Sequence, residues 1–422
     1  MSEIGRKRQS EIYVQGVSGA RPKVPISMAR LEAQASQIMS PEAFAYIAGG
    51  AGLESTMDNN LRAFEADRIV PRMLVDVSER DTSVELFGRR LESPFLLAPI
   101  GVQEMAHPDA DLATARAAAA TGVPMIFSNQ ASVSMEKCAA EMGDSPRWFQ
   151  LYWSKSNDLV ASLVSRAEAC GCEAIVVTLD TTLLGWRIRD LDLAYLPFLR
   201  GKGIAQYTSD PVFQKLLAET PANSEVDQDR KITLDTVKAI AQLMTTYPDD
   251  LLSNVRSGKP LAAVRQFINI YSRPSLTWED LPFLREHTKL PIILKGIQHP
   301  DDAKRAKDEG VDGIIVSNHG GRQVDGAVAS YEALKSCVAA TGPDYPVLFD
   351  SGIRSGADAF KAIAHGARAV CLGRPYIWGL ALAGEEGVKE VITNFKADFD
   401  LTMGLAGCRS IAEIDANAVR SV

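Results

Sequence analysis

The stretch PIILKGIQHPDDAKRAKDEGVDGIIVSNHGG (291–321) reads as strand, helix, strand and glycine-rich loop. Pro291 to Lys295 is a short aliphatic run without polar alternation, the pattern of a strand covered on both faces. His299 to Gly310 is charged, has a proline in its first turn and stops at a glycine, as a surface helix does. Gly313 to Ser317 repeats the strand pattern. Two covered strands joined by a helix form a parallel crossover unit. Outward from this unit, further short apolar runs follow the same pattern: FLLAP (95–99), PMIF (124–127), WFQL (148–151), AIVVTL (174–179), PVLFD (346–350) and AVCLG (369–373). Helical stretches such as DADLATARAAAATG, NDLVASLVSRAEACG and SGADAFKAIAHG separate them, most ending in glycine. Eight such strands alternating with helices imply an α/β fold closed as a (β/α)8 TIM barrel. A doubly wound open sheet loses support because no G-x-G-x-x-G follows a strand.

The spacing breaks once, between strands four and five. Residues 183–275 are therefore a long insertion at the C-terminal end of strand four, carrying Pro197, Pro211, Pro221, Pro248 and a helical pattern near 231–245. Its position predicts a lid or a partner contact; an ornament at an oligomer interface is the plainer alternative. Residues 1–90 read as a helical N-terminal extension, in which SPEAFAYIAGG (40–50) has a proline in the first turn and a glycine stop. The barrel occupies 91–182 and 276–385, and 386–422 reads as a C-terminal helical segment, all within one domain.

Bulk properties narrow the partners. A formal net charge of −8 over 422 residues disfavours nucleic acid and anionic lipid. The six cysteines, at 138, 170, 172, 337, 371 and 408, form no C-x-x-C pair, and no histidine cluster has zinc spacing, so no metal site is expected. They read as reduced thiols of an intracellular, cytoplasmic protein. The first residues have no apolar signal core, no run of 18 apolar residues spans a membrane, and the C-terminus is not a Ser-Lys-Leu address.

Barrel sites lie at the C-terminal ends of strands. In chain order these ends carry Ala98, Pro99, Ile100 and Gly101; Ser128 and Asn129; Gln150 and Tyr152; Thr178 and Asp180, with Arg187 beyond; Lys295; Ser317, His319 and Arg322; Asp350, Ser351, Gly352, Ile353 and Arg354; and Gly373 and Arg374. Three inferences follow. The loops after strands seven and eight, with Arg354 and Arg374, suit a phosphate, tight turns being the alternative. His319, beside two glycines, suits a general base oriented by Asp180, where a lone histidine elsewhere is usually structural. Histidines 107, 287, 299 and 365 read as structural. Arg187 and Arg322 suit a bidentate clamp on a small carboxylate, helped by Tyr46 or Tyr152; rim salt bridges are the alternative.

These segments resemble a known family. SNHGGRQ (317–323), PRML (71–74), APIG (98–101), FQLY (149–152), TLDT (178–181), LKG (294–296), DSGIR (350–354) and LGRP (372–375) stand in the order found in the FMN-dependent 2-hydroxy-acid dehydrogenases and oxidases. AYIAGGAG (45–52), GWRIRDLDLAYLPFLRG (185–201) and DPVFQK (210–215) are similar to its lactate 2-monooxygenase branch. The insertion is longer at 222–275, SNQAS (128–132) differs from the commoner wording, and Val324-Asp325-Gly326 stands closer to the oxidases. The resemblance implies that His319 accepts a proton with Asp180 as its partner, and that Arg187, Arg322, Tyr46 and Tyr152 bind substrate. It implies FMN against Ala98, Pro99, Ile100 and Gly101, hydrogen-bonded by Ser128, Gln150, Thr178, Lys295 and Ser317, with ribityl and phosphate held by Asp350, Ser351, Gly352, Ile353, Arg354, Gly373 and Arg374. Lys295 would stabilise the negative charge of reduced flavin, and Gly101 would leave space that an alanine fills.

The expected reaction is oxidation of an L-2-hydroxy acid, lactate foremost, by dioxygen, with decarboxylation to acetate, carbon dioxide and water. The alternatives are a simple oxidase giving the 2-keto acid and hydrogen peroxide, and a quinone-linked dehydrogenase. An FMN-barrel isomerase of the type-two isopentenyl diphosphate kind and an inactive interaction barrel are remoter. The resemblance also implies a homotetramer or homo-octamer, with no membrane or nucleic-acid partner.

Overall fold

The computed structural model describes residues 3–219, 233–248 and 250–422. Eight parallel strands close into a barrel: β1 (Phe95–Leu97), β2 (Met125–Phe127), β3 (Arg147–Leu151), β4 (Ile175–Thr178), β5 (Ile292–Ile297), β6 (Gly313–Val316), β7 (Val347–Phe349) and β8 (Ala369–Leu372). Pairing of Val370 with Phe95 and Leu372 with Leu97 closes β8 onto β1. The uniform apolar runs have a simple cause. Alternate residues face two different cores. Leu96, Ile126, Trp148, Val176, Ile293, Ile315 and Leu348 fill the barrel interior, while Phe95, Leu97, Phe127, Phe149, Val177, Leu294 and Phe349 meet the surrounding helices. Each such side chain contributes on the order of 2 kcal/mol by leaving water.

A hairpin, Val84–Leu86 with Arg89–Leu91, shares the interior cluster. The Phe87 ring at its turn packs edge-on to Trp148 at 5.7 Å, which closes the N-terminal end of the barrel and leaves the other end for chemistry.

The termini depart from the helical expectation. Helices Ile4–Val17, Met28–Ile38, Pro41–Ala48 and Ser55–Arg62 are followed by a strand, Asp67–Ile69, which pairs antiparallel with Val419–Ser421 at the end of the chain. Three-residue strands are too short to show periodicity, and their partner lies at the opposite end of the sequence. The segment after 386 is α-helical to Leu405, within a helix Arg374–Leu405 broken at Ala383–Gly384, and then holds two short 3-10 turns, Ile411–Glu413 and Ala416–Ala418, before the strand. The expected helix near 231–245 is present as Leu234–Thr246, capped by Thr233; Pro221 lies outside the described residues. No described helix is long and apolar enough to cross a membrane. All six cysteines are free, and no group of ligands that could hold a metal occurs among the described residues.

One buried carboxylate ties the termini to the barrel helices. Asp67 is fully buried and accepts from Tyr331 Oη (2.8 Å), Lys335 Nζ (2.8 Å), His365 Nε2 (2.8 Å) and Ser421 Oγ (2.6 Å). These donors outweigh the opposing effect of burial and hold its pKa far below the usual carboxylate range. The contribution is present above the ordinary aspartate pKa and is lost as pH falls toward the depressed value. Asp67→Ala should destabilise the fold by about 2–3 kcal/mol at pH 7, read as a lower urea midpoint at unchanged slope, with a smaller penalty at pH 4.

Candidate active site

A cleft of about 1020 Å³, open solvent at its mouth included, lies at the C-terminal end of the barrel. Its lining includes five cationic side chains, Arg187, Lys295, Arg322, Arg354 and Arg374, against one carboxylate, Asp350. Lys295 has Asp350 beside it, and the positive charge that remains in excess suits bound anions.

His319 stands at the head of the β6 loop with φ +59°, a left-handed conformation that costs a non-glycine residue on the order of 1–2 kcal/mol. Neighbours hold it there. Ser317 Oγ accepts from His319 N (3.0 Å), Ser351 Oγ from Gly320 N (3.0 Å) and Asn318 Oδ1 from Gly321 N (3.1 Å). Asn318 is itself locked in a reciprocal amide pair with Asn60, at 2.8 and 2.7 Å. His319 Nδ1 meets Asp180 Oδ1 at 2.8 Å, which leaves Nε2 as the nitrogen available for proton transfer. Asp180 reaches this position because residue 296 is glycine: a Cβ there would lie 2.9 Å from Asp180 Cβ. Burial lowers the His319 pKa below its ordinary value, with Asp180 pulling the other way. Burial pushes the Asp180 pKa up, but its pairing with His319, the Lys295 charge and the Thr181 hydrogen bond hold it below the usual range. Its second oxygen, Oδ2, is buried with no hydrogen-bond partner among the described residues.

Lys295, at the end of β5, is 3% exposed and bonds Asp350 Oδ2 and Ser317 Oγ, each at 2.8 Å. Burial opposes its charge, but Asp350 and Asp180 raise its pKa well above the ordinary lysine value, so the site contains a permanent cation.

The two clamp candidates come together from different loops. Arg187 donates to Arg322 O (3.3 Å) and to Gln323 Oε1 (3.1 Å). Arg322 donates to the carbonyls of Tyr46 and Gly49 and lies over the Tyr46 ring at 5.0 Å. Burial and then the Arg187 charge push the Arg322 pKa down to about 10, which leaves it cationic near neutrality. Burial raises Tyr46 and, with Asp180, takes Tyr152 to about 12, so both phenols remain hydrogen-bond donors.

Not every expected residue is on the wall. Ser128, Tyr46, Tyr152, Ala98 to Gly101, Asp350 to Arg354, Gly373 and Arg374 line the cleft. Gln150, Thr178 and Ser317 sit directly behind the lining and bond other side chains: Gln150 Nε2 donates to Thr178 Oγ1 at 3.0 Å, and Gln150 Oε1 accepts from Ser128 Oγ at 3.3 Å. The expected space at Gly101 is absent, since a Cβ would lie 2.4 Å from the Gln130 carbonyl oxygen. Two contributors inside the quoted motifs were given no role. Thr181 Oγ1 bonds Asp180 Oδ1 at 3.0 Å and lies 3.4 Å from His319 Nδ1. Gln323 Nε2 donates to the carbonyls of Asp180 (2.6 Å) and Leu183 (2.8 Å), tying Arg187 to the β4 loop. Their positions in TLDT and SNHGGRQ were the available signal.

The lining fits FMN. Among the described residues the guanidinium groups of Arg354 and Arg374 donate to backbone carbonyls and to no carboxylate, the one carboxylate bond being from Arg354 N to Asp358 Oδ2 at 2.9 Å. Arg354 lies over the Trp378 ring at 5.3 Å. Such a pair suits a phosphate dianion. Gly373, beside them, leaves open the volume a side chain would fill, with only Ile100 Cδ1 near, at 3.9 Å.

Known proteins agree. A family model described as FMN-dependent dehydrogenase matches residues 35–421. The chain is 41% identical over 392 residues to an L-lactate oxidase of Lysinibacillus sphaericus, covering 93% of this chain and 92% of that protein. It is 40% identical over 415 residues to an FMN-dependent alpha-hydroxy acid dehydrogenase of Penicillium citrinum, covering 98% and 95%. The solved structure of mandelate oxidase with (S)-4-hydroxymandelic acid aligns at TM-score 0.77 and 36% identity, covering 94% of this chain and 99% of that one. A buried cation beside a histidine–aspartate pair and an unbalanced set of arginines is what flavin, phosphate and carboxylate together require, and the chain belongs to the FMN-dependent dehydrogenase family as an FMN-dependent 2-hydroxy-acid oxidoreductase.

Proposed function

We propose that this enzyme oxidises L-lactate with dioxygen and retains the resulting 2-keto acid for oxidative decarboxylation, so that lactate and dioxygen yield acetate, carbon dioxide and water. The observation that carries the reading is His319, backed by Asp180 at 2.8 Å, on the wall of a cleft also lined by Arg187 and Arg322. The two guanidinium groups fix the substrate carboxylate, Tyr46 and Tyr152 donate to its oxygens, and His319 Nε2 takes the proton while Asp180 stabilises the cation that forms. Bound FMN supplies the two-electron acceptor and the route to dioxygen. Ala98 to Gly101, Ser128 and Lys295 would hold the ring and Arg354, Gly373 and Arg374 the phosphate, with Gln150, Thr178 and Ser317 orienting that wall from behind. Decarboxylation requires slow escape of the keto acid. The insertion supports this because it is bonded to the barrel at two adjacent strand ends beside the cleft: Ala205 N donates to Ala131 O, after β2, at 3.2 Å, and Ser154 Oγ, after β3, to Ile270 O at 2.8 Å. A simple oxidase is the second reading, favoured by relatives named oxidases. The expected homotetramer or homo-octamer rests on the resemblance.

Turnover of lactate in air decides between the two readings. Acetate should dominate, and pyruvate with stoichiometric peroxide would leave only the oxidase. His319→Asn should slow flavin reduction by about 10²–10⁴ while FMN stays bound. Because the base acts when neutral, kcat/KM should fall as pH drops through a midpoint below 6.5. In Asp180→Asn that limb should move to lower pH, since the carboxylate that raises the His319 pKa is gone, and the plateau should fall by about 10⁴. Gln323→Leu, which removes the Gln323 Oε1 contact to Arg187, should raise the lactate KM on the order of tenfold without releasing flavin.

A further inference from the structure

The insertion brings two aromatic side chains, Phe198 and Tyr271, to the cleft. Phe198, in the short turn Pro197–Arg200, is 4% exposed and stands edge-on to Tyr46 at 6.3 Å. Tyr271 follows the helix Lys259–Ile270 and stacks on Phe267 at 5.0 Å, with 21° between the planes. Phe267 is fully buried and also packs against Phe198 at 5.3 Å, while Tyr207 supports it edge-on at 4.8 Å. Both lining rings therefore rest on one buried aromatic prop.

The backbone is equally fixed. Ile270 O accepts from Ser154 Oγ (2.8 Å) and Lys155 N (3.0 Å), which sets Tyr271 beside the strand end that carries Tyr152. On the other side the buried Gln206 donates to Ser128 O (3.3 Å) and accepts from Met135 N (3.0 Å). The described part of the insertion thus forms a wall anchored to the barrel at both edges.

With the carboxylate on Arg187 and Arg322 and the reacting carbon at His319, the remaining substituent on that carbon turns toward uncharged lining. On the insertion side that lining is Phe198, Tyr271 and Leu184. We propose that Phe198 and Tyr271 are the specificity wall for the side chain of the 2-hydroxy acid, with the Tyr271 ring excluding chains longer than a short alkyl group. Stacked, propped rings do not yield as an aliphatic side chain would. This inference rests on the proposed 2-hydroxy-acid activity.

The test compares kcat/KM for L-lactate and L-2-hydroxyhexanoate in the holoenzyme and in Tyr271→Ala, Tyr271→Leu and Tyr271→Phe, with bound-flavin stoichiometry as the measure of folding. In the alanine and leucine variants the hexanoate-to-lactate ratio should rise about tenfold or more, chiefly through a lower KM for the longer acid. Tyr271→Phe should keep the wild-type ratio, because the ring and not the hydroxyl forms the wall. An active wild type whose ratio stays within about twofold in both truncated, flavin-loaded variants overturns the wall alone. A wild type that oxidises neither acid overturns the proposed function and the wall with it.

Discussion

The rim chemistry depends on the hydrogen bonds that close β8 onto β1. Closure makes the strand ends converge on one opening and removes every free sheet edge. It also puts side chains from strands distant in sequence at bonding distance. Thr178 pairs with Lys295 in register although the insertion lies between them. Without that register, Asp180 and His319 have no reason to meet.

Closure also creates an electrostatic problem, which the site answers in two ways. Lys295 is stabilised from within by Asp350 and Asp180, so its charge persists whatever occupies the cleft. Among the described residues the guanidinium groups of Arg354 and Arg374 are bonded only to backbone carbonyls. Burial lowers the pKa of both guanidinium groups, and an incoming phosphate relieves that cost. On the proposed reading a cofactor phosphate would complete this region, and the carboxylate of a substrate would do the same for Arg187 and Arg322. Burial chiefly, and then the same lysine that supports Asp180, disfavour a positive charge on His319 and lower its pKa.

The insertion contributes differently. It adds an aromatic core of its own, Tyr207, Phe213 and Phe267, all fully buried, and this core supports the wall of the cleft through stacked rings. Polar anchors at Gln206 and Ile270 fix its two edges. The proposed specificity and product retention would thus lie on the part of the chain outside the barrel, and the proposed proton and electron transfer on strand ends.

The strands, most of the helices and the identity of the polar rim residues were legible in the sequence, because periodicity, glycine stops and motif order are local properties. His319 was a candidate on its loop alone. What the sequence could not show was the antiparallel pairing of 67–69 with 419–421, the crowding of Gly101 against Gln130, the position of Gln150, Thr178 and Ser317 behind the wall, and the convergence of Phe198 and Tyr271. Each of these depends on contacts between residues far apart in the chain, and local pattern carries no information about such distances. The sequence by itself determined which chemical groups this protein owns and the strand ends that carry them. The tertiary structure decided which of those groups touch, because only packing in three dimensions selects among the many pairings a given pattern allows.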